Sequence, residues 1–273
     1  MKNLNKMFIH KGVAVIKVEP IPAFNDNYIW IIEDGRYACI VDPGQKDPII
    51  DYLTKRRLQL KSILITHHHH DHTGAVLDLV ELTGAHVYGP MNAIIQGIDT
   101  YVQEDDLVSL APLDLVLRVL EVPGHTLDHV AYVGEMSNGQ TIAFCGDTLF
   151  SCGSGRLFEG NSTQMLQSLD KFKKMSQNTL LYCAHEYTLS NIRWALAVEP
   201  NNIDLQHWER EAVCLREQAL PTVPTTLEQE LKTNPFLRVG EQTVQQAAQA
   251  YAGHVLSSRA EVFSVLREWK NHF

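Results

Sequence analysis

The sequence predicts a mixed α/β domain followed by a smaller helical domain. From Val13 to Cys183, short runs rich in β-branched residues alternate with polar turns, which is typical of the strands of a substantial sheet. Beyond Thr188 these runs disappear, and apolar residues recur at helical spacing. A chain of 273 residues exceeds the usual size of one compact core. We therefore expect an α/β domain over residues 13–187 and a helical domain over residues 188–273.

The strand-like runs of the first domain are short and apolar. In chain order they read VAVIKV, YIWIIE, ACIVD, SILIT, HVYG, LVLRVLEV, HVAYVG, TIAFCG and TLLYC. Two helix-like stretches interrupt them, Thr73 to Thr83 and Ser162 to Lys174, and Ser162 is the candidate N-cap of the second. Strands and helices therefore mix within one domain.

The second domain contains segments with helical periodicity. They run from Asn191 to Val198, from Leu205 to Gln218, from Thr243 to Tyr251 and from Ser258 to Asn271. The last segment opens with the capping-box spacing of Ser258 and Glu261. The proline-rich run PTVPTT, residues 221–226, is expected to be a connection without regular structure.

The overall composition excludes several classes of protein. Hydrophobic residues make up 45% of the chain and charged residues 20%, which is ordinary for a globular protein and excludes a disordered or collagen-like chain. The formal net charge of −9 disfavours a nucleic-acid-binding protein, which needs a basic face to displace phosphate counterions. We therefore expect no nucleic-acid partner.

The cysteines and the apolar segments predict where the protein resides. The five cysteines are scattered and contain no Cys-x-x-Cys pair, which favours a reducing compartment, the cytoplasm. The start MKNLNKMFIH contains no apolar stretch of signal-peptide length, and no segment approaches the roughly 20 apolar residues of a membrane span. We expect neither export nor a membrane partner, and we expect a monomer.

The densest chemical signal is the run THHHHDH, residues 66–72, between an apolar strand-like run and a helix-like stretch. Alternate side chains of an extended loop point the same way, so one of two pairs can share a metal ion. The pairs are His67 with His69, and His68 with His70. Periodicity alone permits both, and an isolated run of this kind can also be a solvated turn that binds metals adventitiously.

Five further groups favour a catalytic metal site over an adventitious one. Within the run, the chain turns after the histidines and presents Asp71 and His72, which suits a second ion beside the first. Three more groups follow apolar runs later in the chain, namely His125 in PGHT, Asp147 in CGDT and His185 in CAHE. Imidazoles and carboxylates are the ligands of catalytic zinc, iron or manganese, whereas closed structural zinc sites favour cysteines. We therefore predict an open metal centre at one sheet edge.

The order and spacing of these residues resemble the metallo-β-lactamase superfamily, whose signature Thr-His-x-His-x-Asp-His is matched by residues 66–72. Within it, the chain resembles the glyoxalase II (hydroxyacylglutathione hydrolase) family from about Val18 to Phe273. The similar segments are THHHHDHTGA, PGHTLDH, GDTLFSCGSGRLFEG, CAHEYTLSN and NPFLR. The resemblance implies a four-layer αββα sandwich with a helical C-terminal domain. It also implies a thioester hydrolase that converts S-D-lactoylglutathione to glutathione and D-lactate in methylglyoxal detoxification.

The same resemblance implies a role for each chemical group. The first metal ion would be bound by His67, His69 and His125, and the second by Asp71, His72 and His185. Asp147 would bridge the two ions together with the attacking hydroxide, and Asp71 and Asp147 would hold that nucleophile in line. His68 and His70 would not be ligands. The expected cofactors are two divalent metal ions, zinc first, with iron or manganese compatible with the same ligands.

The resemblance also implies where the glutathione part of a small thioester substrate binds. The basic and aromatic positions of the family fall on Arg156, Tyr187, Arg267 and Lys270. Arg267 and Lys270 lie three residues apart on the last predicted helix and so share a face, which suits a carboxylate. Phe158 stands where relatives have a tyrosine, so we expect one hydrogen bond to the tripeptide to be absent.

Other functions remain compatible with parts of these patterns. A glutathione persulfide dioxygenase shares the fold but uses a single iron, and the helical domain with its basic pair argues against it. A β-lactamase or a nuclease of the same superfamily is a second rival, and the acidic balance argues against the nuclease. A non-catalytic metal-binding protein would be expected to lack a ligand, and this sequence lacks none.

Overall fold

The computed structural model describes residues 16–273, which form two six-stranded sheets with helices outside them. The first sheet consists of β1 (Lys17–Ala23), β2 (Asn27–Glu33), β3 (Tyr37–Val41), β4 (Gln59–Leu64), β5 (His86–Pro90) and β6 (Thr100–Val102), in that order. The helices α1 (Lys46–Arg56), α2 (His70–Thr73) and α3 (Val76–Thr83) connect its strands. The run VAVIKV begins at Val13, so its first three residues lie outside the described residues.

The second sheet follows in the chain. The next strands are β7 (Leu107–Leu110), β8 (Leu115–Glu121), β9 (Val130–Glu135), β10 (Thr141–Gly146), β11 (Leu149–Phe150), β12 (Gly153–Ser154), β13 (Leu180–Cys183) and β14 (Thr225–Thr226). All except β11 and β12, which pair with each other, form the second sheet in the order β14-β13-β10-β9-β8-β7. A 3₁₀ turn at Ala111–Leu113 joins β7 to β8.

The remaining helices are α4 (Ser162–Phe172), between β12 and β13, and five near the C-terminus. These are α5 (Thr188–Val198), α6 (Ile203–Glu217), α7 (Leu227–Thr233), α8 (Gln242–Ala252) and α9 (Arg259–Asn271). No helix of residues 16–273 is long and apolar enough to cross a membrane.

Two apolar cores define the layers. The smaller core lies on the outer face of the first sheet, where Ile40 of β3 belongs to the same apolar cluster as Ile49 of α1 and Leu79 of α3. The larger core lies between the sheets and continues beneath the helices that follow β12, so that Tyr132 and Trp194 belong to one cluster. Helix, sheet, sheet and helix therefore form an αββα sandwich, which confirms the predicted fold class.

Several predicted elements have different limits. The stretch from Thr73 to Thr83 is interrupted at Gly74, because Ala75 N donates to Pro43 O and the chain turns between α2 and α3. The N-cap of α4 is Asn161 and not Ser162: its side chain accepts from Gln164 N, and Gln164 Oε1 accepts from Asn161 N.

The proline-rich run PTVPTT was wrongly predicted to lack regular structure. Its last two residues form β14, which pairs with β13, and the side chain of Thr226 caps α7. The prediction that strands end before Thr188 was therefore also wrong. At α9 the predicted capping box is half present, because Ser258 accepts from Glu261 N while the Glu261 carboxylate bonds Ser257 instead.

Candidate metal centre and substrate cavity

The predicted metal ligands lie at one edge of the two sheets because the strands that precede them run in the same direction. In the first sheet, β3 and β4 are parallel, and the histidine run follows β4. In the second sheet, β8 and β10 are both antiparallel to β9, while β13 is parallel to β10. His125, Asp147 and His185 follow β8, β10 and β13. At the same edge Tyr28 N donates to Ala184 O, which joins the sheets.

Three imidazoles form a first group of potential ligands. Nδ1 of His69 lies 3.1 Å from Nε2 of His67 and 3.1 Å from Nε2 of His125. His67 and His125 are buried and His69 is partly exposed, so the group is open on one side. All three side chains meet the spacing expected of ligands to one ion.

A second group of potential ligands, whose atoms are also close enough to bind one ion, consists of Asp71, His72 and His185. Oδ2 of Asp71 lies 3.4 Å from Nε2 of His72 and 3.5 Å from Nε2 of His185. The amide of Asn27 donates to the same Asp71 oxygen at 2.9 Å, which fixes its position.

The carboxylate of Asp147 lies between the two groups. Its Oδ2 is 3.4 Å from Nε2 of His125, while its Oδ1 is 3.3 Å from Nε2 of His185 and 3.6 Å from Nε2 of His72. One oxygen thus faces each group, which is the arrangement a bridging carboxylate needs. Oδ1 of Asp147 and Nε2 of His72 are buried without a hydrogen-bond partner in residues 16–273, and a cation between them would satisfy both.

Hydrogen bonds on the far side of the rings set their tautomers. Nδ1 of His72 faces Oδ2 of Asp42 at 3.0 Å, and Nδ1 of His185 faces Oδ1 of Asp26 at 2.8 Å. Nδ1 of His125 faces the carbonyl of Arg156 at 2.8 Å. Because these partners only accept, each Nδ1 carries the proton and each Nε2 lone pair points to the centre.

Asp42 connects both groups. Its carboxylate accepts hydrogen bonds from Thr66 N and Thr66 Oγ1, both at 2.7 Å, as well as from His72. Because Thr66 Oγ1 uses its proton on Asp42, its lone pair accepts from Nδ1 of His67, 3.0 Å away. Asp42 thereby orients His72 directly and His67 through Thr66.

Burial and charge oppose each other across the centre. Burial lowers the pKa of His67, His69 and His125, so these rings are neutral donors of lone pairs. Burial alone would lower the pKa of His72 as well. The carboxylates of Asp147 and Asp42 have the larger effect, so the pKa of His72 is raised above its usual value. The same negative charge would favour a divalent cation, which competes with protons for the Nε2 lone pairs.

Two glycines let backbones approach closely beside the ligands. A Cβ at Gly44 would lie 1.8 Å from the carbonyl oxygen of Asp71, and a Cβ at Gly155 would lie 2.0 Å from that of Asp147. Any side chain at either position would therefore displace a ligand-bearing segment.

The other two histidines of the run lie outside these groups. Nδ1 of His68 faces Asp128 and its Nε2 faces Glu159, while His70 is exposed on α2. Sequence reasoning missed Asp42, Asp26 and Asn27, as well as His129, whose Nε2 accepts from Asp147 N at 3.0 Å. Asp42 carried a signal, since it ends an apolar run just as Asp147 does.

A cavity of about 640 Å³ opens over the centre, and all four predicted substrate-binding residues line it. Arg156, Arg267 and Lys270 bring three basic side chains to its wall. Burial, with Arg156 nearby, lowers the pKa of Arg267 to about 9, and burial, with Arg267 and Arg156 nearby, lowers that of Lys270 to about 7. No described carboxylate offsets these shifts, so this end of the cavity favours an anionic ligand.

Contacts with neighbouring residues hold the side chains of Arg267 and Lys270 in place. Arg267 is buried, donates to Ser154 O at 2.8 Å and lies over the ring of Phe236. The Lys270 ammonium lies over the ring of Trp194, 5.3 Å from its centroid.

Tyr187 and Phe158 are among the aromatic residues that line the same cavity. Tyr187 stacks on His185 with ring centroids 4.7 Å apart. Phe158 is 63% exposed and its ring meets those of His69 and His125 edge-on. The cavity therefore joins a metal-ligand cluster, an aromatic wall and a basic end.

Comparison with protein families divides the chain into two matches. Residues 23–185 match the metallo-beta-lactamase superfamily, and residues 186–273 match the family described as the hydroxyacylglutathione hydrolase C-terminus.

Curated relatives match over nearly the whole chain. The hydroxyacylglutathione hydrolase of Cupriavidus metallidurans is 50% identical over 266 residues, which cover 95% of this chain and 100% of the relative. Those of Pseudomonas aeruginosa strain PAO1 and Nitrosomonas europaea are 47% and 46% identical, again over 95% of this chain and over 100% and 97% of theirs.

Solved structures match at lower identity and support the fold. ETHE1 from Myxococcus xanthus superposes with a TM-score of 0.64 at 24% identity, covering 92% of this chain and 89% of that one. The B3 metallo-beta-lactamase BLEG-1 superposes with a TM-score of 0.58 at 22% identity, covering 81% of this chain and 99% of that one.

Proposed function

The chain belongs to the hydroxyacylglutathione hydrolase family of the metallo-β-lactamase superfamily, and on that premise we propose that it hydrolyses S-D-lactoylglutathione to glutathione and D-lactate. It is an enzyme, a thioester hydrolase. The observation that carries the substrate assignment is the cavity itself, which has metal-ligating groups at one end and Arg156, Arg267 and Lys270 at the other.

The residues present fit a pair of divalent metal ions. We assign the first ion to His67, His69 and His125, and the second to Asp71, His72 and His185, with Asp147 shared. The buried, unpartnered atoms Asp147 Oδ1 and His72 Nε2 support this assignment, as do the tautomers set from outside.

We propose that the metals are zinc, since histidine nitrogens and carboxylate oxygens are ligands that suit it, although iron and manganese use the same set. When bound, a pair of ions would lower the pKa of a shared water towards roughly 7 and so supply hydroxide at neutral pH.

The protein's own groups orient the reaction. In this proposal, the carboxylates of Asp71 and Asp147 would hold the nucleophile in line with the thioester carbonyl. The amide of Asn27, which donates to Oδ2 of Asp71, holds Asp71 in place for this role. The leaving thiol has a pKa of about 8.5, so its expulsion as a thiolate needs little help from a general acid.

The basic end of the cavity would bind the glutathione part of the substrate. Arg267 and Lys270 project from α9 towards Arg156, which follows β12, and together they suit the carboxylates of a tripeptide. Tyr187 contributes its ring and hydroxyl to the same wall. In this proposal residues 13–187 form the catalytic domain, and residues 188–273 form a helical domain that completes the substrate site.

The remaining assignments are part of the same proposal. All five cysteines are free, which fits the reducing cytoplasm. We propose that the protein is a monomer. The rival persulfide dioxygenase uses one iron, whereas this cavity offers two ligand groups.

The test is steady-state hydrolysis of S-D-lactoylglutathione, followed by loss of thioester absorbance, with metal content measured on the same sample. We expect turnover that is lost on chelation and restored by zinc. Protein that holds two metals per chain yet fails to turn over this thioester, while hydrolysing a lactam or oxidising glutathione persulfide, would refute the proposed substrate.

A further inference from the structure

His68 is the one residue of the histidine run with two charged partners outside the metal groups. Its Nδ1 lies 3.0 Å from Oδ1 of Asp128, and its Nε2 lies 3.3 Å from Oε1 of Glu159. The side chains of His68 and Asp128 are 12% and 8% exposed, so this contact is shielded from water. Both ring nitrogens face carboxylate oxygens, which can accept a hydrogen bond from the ring.

The two carboxylates belong to two different loops. Asp128 follows His125 in the loop between β8 and β9, and its second oxygen accepts from the amide of Asn92 at 2.9 Å. Glu159 lies in the loop between β12 and α4, which also carries Arg156 and Phe158. His68 therefore connects three loops that meet at the first metal group.

Backbone hydrogen bonds run alongside this connection. Phe158 N donates to His125 O at 3.1 Å, and Gly160 N donates to Gly124 O at 3.2 Å. Leu127 N donates to Oε2 of Glu159 at 2.8 Å, while Oε1 of the same carboxylate lies 3.3 Å from Nε2 of His68. Glu159 thus adds a side-chain contact to the backbone hydrogen bonds that fix the loop bearing Arg156.

We propose that His68, Asp128 and Glu159 form a clamp that positions the Arg156–Phe158 loop for the glutathione part of the substrate. The three residues act through the loop, and their polar contacts with one another lie outside both metal groups. They could also hold an ion of their own, since their ligand atoms lie within 4.8 Å of one another. However, the contacts use different nitrogens of His68, and one ion cannot bind both, so the clamp fits the geometry better.

The inference rests on the proposed thioester hydrolase function, so it is tested first by a measurement independent of turnover. Hydrogen exchange of the metal-loaded protein should become at least several-fold faster at Leu127, Phe158 and Gly160 in His68→Ala and in Glu159→Gln. The matched control is His70→Ala, which removes an exposed histidine of the same run. Unchanged exchange in both variants would overturn the clamp.

Kinetics then separate a positioning role from a general structural one. We expect KM for the glutathione thioester to rise about three- to tenfold in both variants, with kcat within twofold of the parent. The double variant should match the single ones, because the two residues act on one loop. A fall in kcat with unchanged KM would overturn the inference, and so would additive effects.

Metal content distinguishes the clamp from a third ion site. The parent, His68→Ala and Glu159→Gln should hold the same number of ions per chain after dialysis against zinc. One ion fewer in both variants would assign the cluster to a metal and overturn the clamp. Failure of the parent to hydrolyse the thioester, with the exchange result intact, would refute the proposed function and leave the clamp standing.

Discussion

The Asp42 carboxylate fixes the tautomer of a predicted ligand, and converting it to an amide tests how far that tautomer controls metal binding. Oδ1 accepts from Thr66 N, whereas Oδ2 accepts from both Thr66 Oγ1 and Nδ1 of His72. In Asp42→Asn the amide oxygen should remain on the backbone N–H, which cannot turn away. The NH₂ group then faces His72, and a donor facing a donor pushes the His72 proton from Nδ1 to Nε2.

The size of the effect follows from this single change. Loss of an outer partner of a metal-bound histidine typically weakens metal binding about 10- to 100-fold, or about 1.4–2.8 kcal/mol. The second ion should be weakened by this amount, because His72 belongs to its group. The first ion should be affected less, since His67 depends on Asp42 only through Thr66. Residue 42 has a φ of 55°, which asparagine tolerates, so the fold should be kept.

Competition with a chromophoric chelator, together with metal analysis, measures both ions in one titration. Asp51→Asn is the matched control, because Asp51 is an exposed aspartate on α1. Two ions bound by Asp42→Asn with the parent's affinities would refute the tautomer argument.

Four further experiments test the site. Asp147→Ala should leave fewer than two ions per chain by metal analysis and reduce turnover to background, because one carboxylate serves both groups; a two-metal variant with full activity would contradict this role. Arg267→Ala and Lys270→Ala should raise KM more than they lower kcat if they bind the substrate uniformly, and unchanged kinetics would remove them from the site. Since burial lowers the pKa of Lys270 to about 7, its positive charge is lost as pH rises through that value, so KM should increase between pH 6 and 8 and Lys270→Arg should flatten the increase. Phe158→Tyr restores a hydroxyl at the cavity wall and should lower KM, which a direct comparison of saturation curves checks.

The sequence predicted the parts of the site that follow strands. His67, Asp147 and His185 each come after an apolar run, and parallel strands bring such positions to one edge. Asp26 could not be found in this way, because its partner His185 is 159 residues distant and only the sandwich brings them together. Asn27 depends in the same way on the pairing of β2 with the edge of the second sheet.

The errors in the fold prediction have similar causes. Helix α1 was absent from the sequence prediction. It contains a proline and only two buried residues, Ile49 and Leu53, so the helical periodicity of its apolar residues is weak. Strand β14 contains two residues, Thr225 and Thr226, and forms only because β13 offers a free edge beside it. Such short elements depend on tertiary contacts, which local pattern does not contain.

The position of the ligands at the junction of the sheets has a mechanical consequence. Each ligand group draws side chains from both halves of the sandwich: the histidine run comes from the first sheet, while His125, Asp147 and His185 come from the second. Bound ions would therefore crosslink the two sheets in addition to taking part in the reaction. A ligand that binds only the native state stabilises that state by mass action. Removing the metals should therefore weaken the association of the two sheets, and the melting temperature should rise with the concentration of metal.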